Sequence, residues 1–211
     1  IEMAQPATLG QWLANAVGLD PSIAALALAL LLGLGLMVWA LTGRDFANTN
    51  NLLAGIGIGA IITAMWWLSG HTGFVAEHPE TLEAVFLATN SGRAESLSFV
   101  APVAYTLDWL IFFSDKSKVI TIGIISVVGM VTGSALQALA SQTFRWEGFG
   151  GTEDTANHLV GAVLMGVGGV VAMGCTVGQG LSGISTLSLT SFVALAAILA
   201  GAVGGLKYQM W

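Results

Sequence analysis

The stretch Met165-Gly-Val-Gly-Gly-Val-Val-Ala-Met-Gly-Cys-Thr-Val-Gly-Gln-Gly-Leu-Ser-Gly183 lies between two apolar runs and carries the only cysteine of the chain, Cys175. A helix that merely crosses a bilayer would hold Leu, Ile, Val and Phe here. Instead Gly174, Gly178, Gly180 and Gly183 strip away side-chain bulk, each weakening a helix by roughly 1 kcal/mol relative to alanine. Cys175, Thr176, Gln179 and Ser182 add polar atoms. Non-helical backbone at membrane depth survives only where protein or a water-filled cavity satisfies its polar groups. The stretch therefore reads as a broken or re-entrant helix lining a path, and the remaining sequence as the wall that holds it.

Of the 211 residues, 55% are hydrophobic and only 9% charged. A soluble domain carries roughly a quarter charged residues, so this is the composition of a helical membrane protein. The net charge of -6 and the six scattered Lys and Arg exclude a nucleic-acid surface. A single cysteine forms no internal disulfide and no CxxC or CxxCH motif, and nothing calls for a metal or another cofactor.

A hydrocarbon core about 30 Å thick needs about 20 apolar residues in a helix. On that measure residues 1–21 form an interfacial segment anchored by Trp12, with spans expected at 22–41, 52–69, 95–113, 119–140, 157–172 and 190–206. Pro102 should kink the third of these. Segments 81–92 and 174–189 are too short or too interrupted to cross and read as re-entrant, with Thr81 to Thr89 as a short helix. The pairs Gly55/Gly59, Gly129/Gly133 and Gly201/Gly205 have the spacing that favours close helix contact. Both interrupted segments lead to similar helix openings, Ser96-Leu-Ser-Phe99 and Ser188-Leu-Thr-Ser-Phe192. Paired broken segments mark the central site of many transporters. The expected fold is thus all-α: one polytopic membrane domain with broken helices, of the inverted-repeat type.

Cys175 is the leading functional candidate. A lone cysteine is more often a small buried hydrophobe, but a packing cysteine has no need of so many flanking glycines. A neutral thiol can offer an S–H donor to an anion and a polarizable surface to a soft sulfur ligand. The glycines could equally serve helix packing. Gly174, Gly178 and Gly180 are placed on the path because a break there would free a helix N-terminus, whose N–H groups and dipole attract anions. Thr176 and Gln179 could add hydrogen bonds, although Thr in a membrane helix more often bonds its own backbone. Asp108 lies inside the third expected span and is either functional or turned to the headgroups. His71 and His78 have no metal-ligand spacing, and His158 is interfacial. Glu153 and Asp154 read as a solvated loop that caps the next helix.

The string Gly174-Cys-Thr-Val-Gly-Gln-Gly-Leu-Ser-Gly183, with Ile184-Ser-Thr-Leu-Ser after it, resembles the YeeE/YedE-type sulfur-transport family. Glu95-Ser-Leu-Ser-Phe-Val-Ala-Pro102 and Asp154-Thr-Ala-Asn-His158 are similar to that family's second half. The resemblance implies a permease of the bacterial inner membrane, for thiosulfate or a related small sulfur-containing anion, and no enzyme activity. It implies two inverted halves whose short helices meet at an hourglass centre, where cysteines hand the anion along by S–H···S contacts. Cys175 matches the cysteine of the second half. Full-length members carry further cysteines in a preceding half. Where a half's first re-entrant motif would lie, this chain offers Ser96 and Ser98. The expected partners are the anion, membrane lipid, a soluble sulfur-carrier protein, and a second chain or another copy supplying the missing half. The alternative is an accessory or scaffold subunit of a larger complex without transport activity of its own.

Overall fold

A computed structural model describes residues 8–43, 46–77, 82, 84–115 and 117–210. The first seven residues of the expected interfacial segment, and His78 and Thr81, lie outside these. The helices are α1 (Leu9–Val17), α2 (Pro21–Thr42), α3 (Thr49–Trp67), α4 (Val100–Ile111), α5 (Ile122–Ala140), α6 (Thr152–Val171) and α7 (Leu189–Gln209). The described residues also form two wide π-helical turns, Leu68–Thr72 and Gly178–Gly183, and one small hairpin of β1 (Phe74–Val75) and β2 (Val85–Phe86). Among the described residues five segments are long and apolar enough to cross a membrane: Pro21–Thr42, Thr49–Thr72, Ile122–Ala140, Thr152–Val171 and Leu189–Tyr208. Helix α2 shows why. Its 22 residues are apolar on every side and reach about 33 Å at 1.5 Å per residue, yet Leu31 is 70% exposed. Leucines on all faces of one helix belong in hydrocarbon. The chain is an all-α membrane protein.

The residues fall into two compact units, Ile1–Ala64 with Gln179–Trp211, and Met65–Gly178. In the first, the Thr8 hydroxyl caps α1 by accepting the Gln11 N–H at 3.3 Å, and Gly18 ends it in a left-handed conformation, φ 73°. Pro21, which needs no hydrogen-bond acceptor for its nitrogen, opens α2. Helices α1 and α2 meet where Gly10 lies against Ala25; a Cβ on Gly10 would come within 2.7 Å of the Ala25 Cβ. The Leu9 N–H donates to the Leu187 carbonyl at 2.9 Å, tying α1 to the chain just before α7.

The chain departs from the expected pattern at three places. The predicted span at 95–113 contracts to α4, whose 12 residues cover only about 18 Å. Residues 95–98 are held out of the helix by a latch. The wholly buried Ser69 hydroxyl donates to the Glu95 carbonyl at 2.6 Å and accepts the Glu95 N–H at 3.1 Å. At the other end, the Asp115 N–H closes a turn on the Phe112 carbonyl at 2.9 Å, and the Asp115 carboxylate accepts the Ser117 N–H at 2.9 Å. Pro102 consequently falls in the first turn of α4, where a missing N–H costs nothing, and the expected kink does not arise.

The expected helix from Thr81 to Thr89 is also absent from the described residues. Val85 and Phe86, a β-branched and an aromatic residue, form a strand instead, with the Phe74 and Phe86 rings 5.1 Å apart across the hairpin. Gly73 permits this approach, since a Cβ there would lie 2.6 Å from the Ala88 Cβ. Finally, the glycines expected to pack helices together meet nothing: Gly55, Gly59, Gly129, Gly133, Gly201 and Gly205 have no neighbour within 4 Å of where a Cβ would stand.

Asp108 reaches from the last turn of α4 to Lys118, with 2.5 Å between Oδ2 and Nζ; both side chains are more than a third exposed. This pairing accounts for the one carboxylate inside α4. The hydrogen bond to Asp108 holds the Lys118 ammonium above the ordinary lysine range. Its contribution is therefore fully present below pH 10.5 and is lost only as pH rises through the higher folded value. The Ser117 N–H holds the Asp115 carboxyl below its ordinary range, so that contribution exists above the ordinary carboxylate range and is lost as pH falls through the lower value. Thermal unfolding in detergent should accordingly show no change from these groups between pH 6 and 9.

The Ser69 latch has a larger expected effect. Ser69→Ala leaves the Glu95 N–H and C=O without their buried partner, at a cost of about 1–3 kcal/mol. A thermal shift assay in detergent should register a clear loss of stability; an unchanged midpoint would show that the latch is replaceable by other bonds.

Candidate functional site

Helix α6 ends in a turn that the sequence marks only in part. The Gly174 N–H bonds the Gly169 carbonyl at 2.8 Å and the Met173 N–H bonds the Val170 carbonyl at 3.1 Å, the paired closure of a Schellman motif. The position that usually takes glycine is Met173, at φ 53°, a conformation costing an ordinary residue about 1–2 kcal/mol. Gly174 follows, buried, and the chain re-enters helix at Thr176, passing into the wide turn Gly178–Gly183. Such widened turns are frequent at functional sites.

Cys175 stands at the head of this new helical run, in the place of an N-cap residue. Its Sγ accepts the Gly178 N–H at 3.5 Å, three residues on, as a serine or aspartate cap would. Beside this run lies the approach to α4, whose Ser98 stands against Gly178. Phe99 and Val100 form the start of α4. The thiol thus sits at a helical beginning, with the approach to α4 beside it, and it remains half-buried rather than sealed. The free N–H groups of a helical beginning suit an electron-rich group, and no side-chain cation is required.

Two glycines allow the parts to approach. A Cβ on Gly178 would lie 2.8 Å from the Ser98 Oγ, and one on Gly169 would lie 2.8 Å from the Val100 Cγ2. Of the residues singled out in the sequence, Cys175, Gly178 and Ser98 come together. Gly174 is buried in the turn behind them, and Thr176 faces outward. Ser96 is half-buried in the extended approach to α4. Gln179 and Gly180 belong to the other unit, where the Gln179 Oε1 accepts the Ser191 hydroxyl at 2.6 Å. Gly169 was hidden among other helix glycines. Ser191 lies in the Ser-Leu-Thr-Ser-Phe opening, whose likeness to Ser96-Leu-Ser-Phe99 was the available signal.

His71 stacks on Trp67, with ring centroids 5.4 Å apart, and His158 pairs with Asp154 at 3.1 Å. Among the described residues no group of three or more His, Cys, Asp or Glu could hold a metal ion. The open hollow beside the start of α6 is lined by Glu153 and Asp154, which would repel an anion.

Fold and site together define a multi-pass helical membrane protein with a cysteine set in a broken helix among backbone donors. The chain matches the sulphur transport family over residues 2–204 and belongs to it. It is 30% identical over 115 residues to the thiosulfate transporter TsuA of Escherichia coli K12, a match covering 54% of this chain and 32% of that protein. The match thus spans about a third of the relative's length. The family and this relative are transport proteins, not enzymes. No solved structure matches the chain.

Proposed function

We propose that this chain is a permease of the bacterial inner membrane, or half of one, for thiosulfate or a related small sulfur-containing anion. The observation that carries this reading is the half-buried Cys175 sulfur among the free N–H groups of a helix start, where it accepts the Gly178 N–H at 3.5 Å. Those donors would stabilise the anion's charge, while the thiol makes a transient S–H···S contact with its terminal sulfur. Gly174, Thr176, Gly178 and Ser98 would shape this contact, with Ser96 on the approach and Gln179 and Gly180 further along the path. Conduction needs binding weak enough to release the ion, and a few neutral donors serve that better than a buried Lys or Arg. A soluble sulfur carrier would receive the anion, and a second chain or another copy would cover the open glycine faces.

The test is uptake of labelled thiosulfate by cells that lack their own importer and express this chain. Uptake above the empty-vector level is expected; none, with the chain present in the membrane, would refute a self-sufficient permease. The open faces at Gly129, Gly133, Gly201 and Gly205 favour a second reading, an accessory or scaffold subunit. Native purification separates the two: a stoichiometric partner, together with a harmless Cys175→Ser, would favour the scaffold.

A further inference from the structure

We propose that the loop joining α5 to α6 lies on the lipid bilayer, with Phe144 and Trp146 set into the headgroup boundary and Arg145 and Glu147 turned to water. The inference stands on the membrane fold and is independent of the reading of Cys175.

Both ends of the loop are fixed. At its start α5 closes on itself: Gln142, at φ 52°, donates its N–H to the Leu139 carbonyl at 3.2 Å, and the Thr143 N–H bonds the Ala138 carbonyl at 3.0 Å. At its end the Gly150 N–H bonds the Asp154 carboxylate at 3.0 Å, and the Phe149 ring centroid lies 5.0 Å from that of His158, early in α6. Between these ties, Thr143 to Phe149 forms no helix, strand or turn. Its residue types alternate: Phe144 and Trp146 are large and aromatic, Arg145 and Glu147 charged. The Arg145 guanidinium lies 3.8 Å from the Glu147 carboxylate, so these two side chains leave the chain on one side. In a chain that repeats every second residue, the side chains between them leave on the other. Phe144 and Trp146 therefore share a face, and Trp146 is 92% exposed.

The neighbouring helices say what covers that face. Helices α5 and α6 are both long and apolar enough to cross a membrane. Their exposed apolar residues run up to the loop from either side, with Leu136 and Leu139 in the last turns of α5 and Leu159 and Val160 near the start of α6. A loop joining two such spans meets the plane where hydrocarbon gives way to headgroups. Tryptophan concentrates at that depth, because its ring is apolar in body and carries one N–H for the wet side. The aromatic face thus continues the surface that the two helices already give to lipid.

The experiment reads depth in the full chain reconstituted in phosphatidylcholine vesicles, part of the lipid being brominated on the acyl chains near the glycerol. Cys175→Ser removes the native thiol, and Phe144→Cys or Glu147→Cys then carries a single environment-sensitive fluorophore. Brominated lipid should quench the probe at 144 several-fold more than the probe at 147, and aqueous iodide should do the reverse. Adding Trp146→Glu should shift the probe at 144 toward iodide; no shift would overturn the anchoring role of Trp146. Equal quenching at 144 and 147 would overturn the inference, as would a probe at 144 that neither quencher reaches because protein covers it. The unlabelled chain supplies a second measurement. The emission lost in Trp146→Phe is that of Trp146, and brominated lipid rather than iodide should remove it from the wild-type chain; removal by iodide alone would overturn the inference. Thiosulfate enters none of these measurements, so their failure leaves the permease reading standing.

Discussion

Replacing Cys175 with alanine is expected to reduce thiosulfate uptake to the background of cells without the protein, while the chain stays folded and in the membrane. The loss should be large because the thiol is the one group at the site that can meet a sulfur anion with a polarizable surface of its own. The structural cost should be modest. The Sγ contact to the Gly178 N–H is long, 3.5 Å, and truncation of even a good hydroxyl or carboxylate cap costs about 0.5–2 kcal/mol. The half-buried position leaves no sealed cavity behind. Cys175→Ser sharpens the point: a hydroxyl keeps a cap and a hydrogen-bond donor but loses the soft sulfur. If contact between sulfur atoms matters, Cys175→Ser should resemble Cys175→Ala in uptake and the wild-type chain in thermal stability. Uptake by Cys175→Ser at the wild-type rate would leave the N–H cluster as the working element and remove the thiol from the mechanism.

The sequence disclosed the membrane fold and the place of the break, for a physical reason in each case. Leucine runs such as that of α2 report burial in hydrocarbon directly, because no other environment accepts apolar residues on every helical face. The run from Gly174 to Gly183 reports a break because bare backbone cannot face lipid. The ends of the elements were less legible. Whether Glu95 to Ser98 continues α4 depends on Ser69, 26 residues earlier, and a periodicity confined to one segment cannot contain that. Pro102 was misjudged for the same reason: its effect depends on its position in the helix, and the latch decides where α4 begins. The site was half legible. Cys175, Gly178 and Ser98 stand out by residue type, whereas the space at Gly169, filled by Val100, exists only through packing. The glycine pairs misled in the other direction. Their spacing promised helix contacts, yet Gly129 and Gly133 have no neighbour, so spacing alone does not say whether a partner lies in the same chain.

The same distinction between occupied and empty glycine sites yields the second large effect. Gly183→Ala is expected to destabilise the chain by roughly 2–4 kcal/mol, combining overpacking with the loss of a buried hydrogen bond. A Cβ at Gly183 would collide with the Ser191 Oγ and lie 2.9 Å from both the Gln179 Oε1 and the Ser191 Cβ. It would wedge apart the bond from Ser191 to Gln179, which measures 2.6 Å and joins the wide turn to the first turn of α7. Ser191 is only 3% exposed, so a displaced hydroxyl finds little water in exchange. Gly201→Ala, in α7 with nothing near, should do the opposite and stabilise its helix by up to about 1 kcal/mol. Melting of both variants in detergent compares them directly, and adding Ser191→Gly to Gly183→Ala should recover part of the loss by removing the colliding atoms. If Gly183→Ala instead melts with Gly201→Ala at or above the wild-type midpoint, the turn is loose enough to take a side chain.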